Sequence, residues 1–192
     1  MSFEQFNFSP QIKAGITAAG YTTPTPIQSQ AIAPLLEGRD LLGLAQTGTG
    51  KTAAFALPIL QRLQNGPRGK LRVLVLSPTR ELAEQTHTTF KQLGKQSGFR
   101  SLTIYGGVSA VPQVKGLRAG LEIAVACPGR LLDLYNQKAL SLKSVEMLVI
   151  DEADRMFDMG FLPDIRRILA ALPTPRQTML FSATMPPEIR GL

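Results

Sequence analysis

The chain has 192 residues, 44% of them hydrophobic and 18% charged, which fits one folded globular domain and excludes a disordered chain. A formal net charge of +7 suits either plain solubility or a polyanionic partner. With one cysteine, Cys127, and one histidine, His87, an internal disulfide is excluded and a zinc site has no ligand set.

The first residues, Met1 to Phe6, carry neither a basic n-region nor an apolar h-region, so no signal peptide is expected. No apolar stretch approaches the roughly 20 residues that span a bilayer, so no membrane partner is expected. Phe3 to Gly20 reads as an opening helical segment, starting at Ser9-Pro10, with Ile12 and Ile16 on one face and Gly20 as its stop. Pro24 and Pro26 stiffen the next stretch, and Pro26 can open a helix from Ile27 to Leu36 that ends near Gly38. Such a turn could hold a flat ring. Tyr21 would pack against it, and the Gln28 amide would offer a donor and an acceptor to its edge. The same residues also read as an ordinary loop-to-helix junction.

Leu41-Leu42-Gly43-Leu44 is an apolar strand, and Ala53 to Leu57 has helix-compatible composition. Between them lies Ala45-Gln46-Thr47-Gly48-Thr49-Gly50-Lys51-Thr52. Strand, glycine-rich turn and helix start are the setting of a P-loop, whose backbone N–H groups cradle phosphates. Lys51 would reach the β- and γ-phosphates and the Thr52 hydroxyl would help hold Mg²⁺. Ala45 stands where the general pattern G-x-x-x-x-G-K-[ST] has its first glycine. Gly48 and Gly50 remain to supply the unusual backbone angles.

Gly66 to Lys70 is a surface loop, and the apolar run Leu71 to Ser77 suits a parallel strand buried on both faces. Pro78 suits the first turn of a helix, with Ser77 as its cap. The pattern then repeats. Leu102 to Tyr105 is closed by Gly106-Gly107, and Leu121 to Ala126 by Cys127-Pro128-Gly129-Arg130. Val145 to Ile150 is closed by Asp151-Glu152-Ala153-Asp154, and Thr178 to Phe181 by Ser182-Ala183-Thr184. Strands alternating with helices predict parallel βαβ units and an α/β fold. Right-handed crossovers bring every one of those polar turns to one sheet edge, where open α/β sheets bind ligands. Periodicity leaves the strand order open.

Asp151-Glu152 after an apolar strand reads as a Walker-B pair. Asp151 would hold Mg²⁺, directly or through water, and Glu152 would position and activate an in-line water. Lys51, Asp151 and Glu152 are then the catalytic set. Ser182 and Thr184 could bond back to the Asp154 carboxylate, or serve as caps before Pro186-Pro187. Gly106, Gly107, Arg80 and Arg130 could bind phosphodiesters without reading bases. His87 reads as a solvated surface residue, Cys127 as a small buried or half-buried side chain, and the methionines as core filler.

Together these motifs resemble the first RecA-like domain of a DEAD-box RNA helicase of bacterial type, over essentially the whole chain. Phe3 with Gly20 to Gln28 matches the Q motif, Ala45 to Thr52 motif I, and Pro78-Thr79-Arg80-Glu81-Leu82-Ala83 motif Ia. Gly106-Gly107 matches the GG motif, Pro128-Gly129-Arg130 the core of motif Ib, Asp151 to Asp154 motif II, and Ser182 to Thr184 motif III. The resemblance implies a RecA-like P-loop NTPase fold, a mostly parallel sheet between helices, with a Q-motif region over 1–37 and a P-loop core over 38–192. It implies ATP and Mg²⁺ as cofactors. Tyr21, Thr23 and Gln28 would take the adenine, and Gln46, Thr47, Gly48, Thr49, Gly50, Lys51 and Thr52 the phosphates. Thr52 and Asp151 would hold the metal. Pro78, Thr79, Arg80, Gly106, Gly107, Pro128, Gly129 and Arg130 would hold the backbone of single-stranded RNA. Asp154, Ser182 and Thr184 would couple hydrolysis to strand separation.

Two departures from the family pattern stand out. Motif Ib usually begins with threonine, and here Cys127, a poor cap and weak donor, takes that place. The chain also stops at Leu192, before any second RecA-like domain with its arginine fingers, so a fragment of a longer cytoplasmic protein is expected. Since such arginines contribute about 10³–10⁵ in kcat, the chain alone is expected to bind adenine nucleotide but turn it over poorly. The parent reads as an RNA-unwinding or RNP-remodelling helicase, or alternatively as an ATP-switched RNA clamp.

Overall fold

The computed structural model describes residues 2–192. A 3-10 turn at Phe3–Phe6 leads into α1 (Pro10–Ala18) and α2 (Pro26–Leu36), then β1 (Leu41–Leu44) and α3 (Lys51–Leu63). The chain continues through β2 (Val73–Leu76), α4 (Arg80–Leu93), β3 (Ser101–Ile104), α5 (Val111–Ala119), β4 (Ile123–Ala126) and α6 (Pro128–Asn136). It closes with β5 (Met147–Ile150), α7 (Ala153–Asp158), α8 (Leu162–Ala171), β6 (Gln177–Ser182) and α9 (Pro187–Arg190).

The six strands form one sheet in the order β1-β6-β5-β2-β4-β3, every neighbouring pair parallel. The expected mostly parallel sheet is thus wholly parallel. β2, β4 and β5 are buried along their full length because helices cover both faces, which is why they read as unbroken apolar runs. On one face α1, α2, α3 and α4 build a core around Phe55, Phe90 and Phe181. On the other, α6, α7, α8 and α9 pack over Leu74, Leu148 and Ile150. Two glycines set the closeness of that packing. A Cβ on Gly43 would lie 2.6 Å from the Phe181 ring, and one on Gly15 of α1 would lie 2.0 Å from the Leu93 carbonyl of α4. No helix among the described residues is long and apolar enough to cross a membrane.

Register brings the polar turns level. Leu76 pairs with both Ala126 and Ile150, and Leu44 with Ser182. The first residue of each turn is still held by its neighbouring strand: Ala45 N–H by Ser182 (3.0 Å), Ser77 by Ala126 (2.9 Å), Cys127 by Ile104 (2.8 Å) and Asp151 by Leu76 (3.0 Å). This explains two differences from the sequence reading. Ser77 continues the strand and does not cap α4, and its buried hydroxyl has no partner. The cap is Thr79, extended at φ −131 and ψ 158, whose hydroxyl accepts from Leu82 N–H. Ser182, expected just beyond the last strand, is its final residue.

Candidate functional site

The loop after β1 turns through Gly48 (φ +84) and Gly50 (φ +88), conformations that only glycine adopts cheaply, and α3 starts at Lys51. Its opening N–H groups therefore face the sheet edge, ready for an anion. Lys51 is 5% exposed, and its ammonium lies 3.2 Å from Asp151 Oδ1 and 3.3 Å from Glu152 Oε1. The Thr47 hydroxyl donates to the same Glu152 oxygen at 2.9 Å. Glu152 sits in the left-handed region (φ 53), a strained position for a side-chain-bearing residue. Burial pushes the Asp151 carboxyl above its ordinary range, with the Lys51 charge pulling the other way.

Although it faces Lys51, Asp151 Oδ1 is buried and receives no hydrogen bond. A hard cation is coordinated by such an oxygen, and Thr52 lines the same cavity, so this pair fits Mg²⁺ with water completing its shell. Among the described residues no group of three or more His, Cys, Asp or Glu could hold a metal.

That cavity measures about 380 Å³ and joins Tyr21, Lys51, Thr52, Asp151 and Glu152. Its far wall was not foreseen: Leu82, Gln85, Thr86 and Thr89 of α4 line it. Their i, i+3, i+4, i+7 spacing, one helix face carrying three polar residues, was the available signal. Gln46 and Thr49 face elsewhere. They line a neighbouring hollow with Thr25 and Ile27, and the Thr49 hydroxyl donates to the Gln46 carbonyl at 2.7 Å.

Gln28 is buried, with both ends of its amide engaged. Oε1 accepts from Thr25 N–H at 2.9 Å, which caps α2, and Nε2 donates to the Gly50 carbonyl at 3.1 Å. The Tyr21 ring stacks on Phe3, centroids 6.3 Å apart, and its other surroundings include the cavity. Thr23 is exposed.

Thr184 donates to Asp154 Oδ2 from its N–H (2.9 Å) and its hydroxyl (3.0 Å). Burial alone would raise the Asp154 carboxyl, but these bonds outweigh it and hold the group below its usual range. The Ser182 hydroxyl contributes to the same effect on the Asp154 carboxylate, and it also accepts from the Asp154 backbone N–H at 3.0 Å. Its place as the last residue of β6 brings that hydroxyl to the start of α7.

A strip of basic and glycine residues runs along the ends of β2, β3 and β4. Arg80 is exposed, its guanidinium 5.9 Å above the Tyr105 ring. Gly106 and Gly107 are exposed, and a Cβ on either or on Gly129 would meet nothing within 4 Å, so the backbone here is open to a ligand. Arg130 is not free: its guanidinium donates twice to the Val108 carbonyl (3.2 and 3.1 Å), tying the glycine loop to α6. Pro78 and Pro128 are buried and shape the turns. Cys127 occupies the cap position of α6 without a side-chain bond, and burial pushes its thiol up to about 11. His87 departs from the solvated reading: its side chain is 15% exposed, packed between α4 and β3, and burial lowers its pKa.

The sequence profile of the DEAD/DEAH box helicase family matches residues 25–192. The DEAD-box ATP-dependent RNA helicase CshA of Streptococcus pneumoniae is 47% identical over 192 residues, covering all of this chain and 36% of that protein. The ATP-dependent rRNA helicase RRP3 of Meyerozyma guilliermondii is 51% identical over 192 residues, covering all of this chain and 40% of its own length. Among solved structures, a DEAD box protein from the hyperthermophile Methanococcus jannaschii superposes with a TM-score of 0.93 at 39% identity, over 100% of this chain and 52% of that one. The chain therefore spans 36% and 40% of the two curated relatives. The fold is RecA-like, and the chain belongs to the DEAD/DEAH box helicase family.

Proposed function

We propose that this chain is the ATP-binding half of an ATP-dependent RNA helicase, which couples ATP hydrolysis to local duplex unwinding or RNP remodelling. The observation that carries the reading is the buried triad of Lys51, Asp151 and Glu152 at the mouth of the glycine loop. The Lys51 ammonium faces two buried carboxylates, with Arg155 3.6 Å from the far oxygen of Glu152, so oxygen ligands for a cation stand beside loop N–H groups suited to an anion. Mg²⁺ with the ATP phosphates suits both, and when bound it would neutralise charge on the phosphoryl oxygens.

In this reading the N–H groups of Gly48 to Thr52 hold the phosphates, and Lys51 supplies a positive charge to them. Asp151 and Thr52 hold the metal. Glu152, released from Lys51 and Thr47, accepts the proton of the attacking water. Tyr21, Thr23 and Gln28, in the segment over 1–37, serve the adenine, while Gln46 and Thr49 belong to the loop that takes the phosphates. Arg80, Gly106, Gly107, Gly129 and Arg130 take the RNA backbone without reading bases. Asp154 with Thr184 and Ser182 links the two surfaces. A second RecA-like domain of the parent completes the site, in the cytoplasm.

The test is equilibrium binding of fluorescent ADP and ATP to the chain, with and without Mg²⁺. Lys51→Ala is expected to weaken binding at least about tenfold, roughly 1.4 kcal/mol. A wild-type chain that binds neither nucleotide overturns the reading. Turnover belongs to the two-domain parent, where Glu152→Gln is expected to retain ATP binding while losing RNA-stimulated hydrolysis.

A further inference from the structure

The charge of this chain is unevenly placed. From Gln85 to Leu132 there are six lysines and arginines and a single carboxylate, Glu122. Glu122 is 1% exposed and spends its oxygens on the N–H groups of Gly69 and Arg100, so it presents no charge to a ligand. Lys91, Lys95, Arg100, Lys115 and Arg118 are all exposed. None of these five forms an ion pair with a carboxylate among the described residues. This stretch alone therefore carries a formal charge of +5, from six cations and one carboxylate.

That side is the β3 edge of the sheet. β3 pairs with β4 on one flank, and its other flank is the end of the strand order. Beside it runs a groove of about 370 Å³, with His87 and Lys91 of α4 on one bank, Gly116 and Ala119 of α5 on the other, and Phe99 and Leu102 in the floor. Lys115 shares a helix face with Ala119 at i, i+4. The groove sits at the start of β3, and one face of α4 spans from it to the glycine loop. Arg80, Glu84, His87 and Lys91 fall on one face of α4, Arg80 lies over Tyr105, and Glu84 accepts from the hydroxyls of Thr103 (2.9 Å) and Tyr105 (2.8 Å). Two carboxylates lie on this path: Glu81, 3.7 Å from Arg80, and Glu84, whose charge is met by those hydroxyls and by His87 and Lys91.

We propose that this groove is a second RNA-contact zone: backbone leaving Gly106-Gly107 continues down the β3 edge over Lys91, Arg100, Lys115 and Arg118, an inference that rests on the RNA reading above. The ligand class is the phosphodiester backbone of single-stranded RNA, bound without sequence preference. RNA is favoured over an acidic peptide by the continuity with the glycine loop, since the Phe99 ring already carries the Arg68 guanidinium 4.3 Å from its centroid and backbone contact is what the cations offer. The zone would lengthen the footprint of the domain and raise its affinity for longer strands only.

The experiment compares two single-stranded oligonucleotides, of about 6 and about 16 nucleotides, by fluorescence anisotropy. Wild-type chain is expected to bind the longer one more tightly. The triple variant Lys91→Glu, Lys115→Glu, Arg118→Glu, which alters only exposed side chains, is expected to weaken the longer strand about tenfold or more and the shorter less than about twofold. Its salt slope for the longer strand should fall by about 2, since each lost phosphate contact in single strands accounts for about 0.7. The triple glutamine variant should act in the same direction, separating loss of contact from repulsion. Equal weakening of both strands, or no weakening of either, overturns the second zone while leaving the first. If wild type binds neither strand, both readings fall. If a polyglutamate peptide binds as tightly as the longer RNA and loses as much in the variants, the zone is not an RNA site.

Discussion

The Gln28 side-chain amide donates to the Gly50 carbonyl at 3.1 Å, so the segment before the first strand is fastened to the last glycine of the phosphate loop. The other end of the same amide accepts from Thr25 N–H. A residue expected to read a base is thus also a strut of the loop that holds phosphate. Removing it leaves the Thr25 N–H without a partner and the Gly50 carbonyl held only by the Ala54 N–H at 3.2 Å.

For Gln28→Ala the expected outcome has two parts. Stability should fall by about 1–3 kcal/mol, the usual cost of buried unsatisfied groups, read as a lower Tm. Affinity for ATP and GTP should both fall because the loop loosens, with ATP falling further if Gln28 also contacts adenine. Competition of both nucleotides against fluorescent ADP measures the split. Equal losses would make Gln28 a positioning residue only.

Gly15→Ala addresses the packing of α1, which carries the chain into Tyr21. The added Cβ would lie 2.0 Å from the Leu93 carbonyl, a backbone atom that cannot swing aside. Overpacking of this kind costs about 1–3 kcal/mol, occasionally more. Urea unfolding should show the loss, and the variant's nucleotide affinity should fall with it because Tyr21 moves with α1. An unchanged denaturation midpoint would mean that α1 docks differently in solution.

Much of this was legible in the sequence, for identifiable reasons. The strands β2, β4 and β5 announced themselves because burial on both faces demands unbroken apolar runs. The Gly-Lys-Thr turn and the Asp-Glu pair were legible because phosphate and metal chemistry fixes both residue type and spacing. What stayed hidden depends on partners distant in sequence. Gln28 meets Gly50, Thr47 meets Glu152, and Arg130 meets Val108, contacts that exist only once the sheet order is set. The same holds for His87, whose polar neighbours in sequence suggested solvent while β3 in fact covers it. The helix cap at Thr79 was missed because Ser77 has the right chemistry but is still held in the sheet.

His87 is the only histidine, so its titration can be followed by NMR without assignment. Its pKa is lowered from 6.5, first by burial, and then by Lys91. The Ser101 backbone and the Glu84 carboxylate pull in the opposite direction without overcoming this. A histidine whose folded pKa is depressed favours the neutral form. Its contribution to stability is complete above about pH 6.5 and is lost as pH falls through the lower folded value. The imidazole midpoint should therefore lie below 6.5, and His87→Gln should flatten the decline of Tm on acidification in that window. A midpoint above 6.5 would place the ring in solvent or in a tighter pair with Glu84.

Cys127 stands at the cap of α6 in an extended conformation (φ −84, ψ 138), the geometry of a side-chain cap, yet it makes no capping bond. A thiol is a weak acceptor, whereas a threonine hydroxyl at such a position accepts from the N–H of the second or third helical residue. Cys127→Thr should therefore stabilise the chain by about 1 kcal/mol, within the roughly 0.5–2 kcal/mol range of caps, seen as a raised Tm. The native thiol, raised to about 11 by burial and by the Glu81 charge, should react slowly with iodoacetamide at neutral pH and quickly once the chain is unfolded in denaturant. Since α6 presents Gly129 and Arg130 to the proposed RNA track, the same substitution offers a second reading. If motif Ib acts through its backbone, Cys127→Thr should leave the affinity for the shorter oligonucleotide unchanged despite the gain in stability. A marked gain in that affinity would mean that a hydroxyl at this position contacts phosphate directly and that the cysteine forgoes the contact.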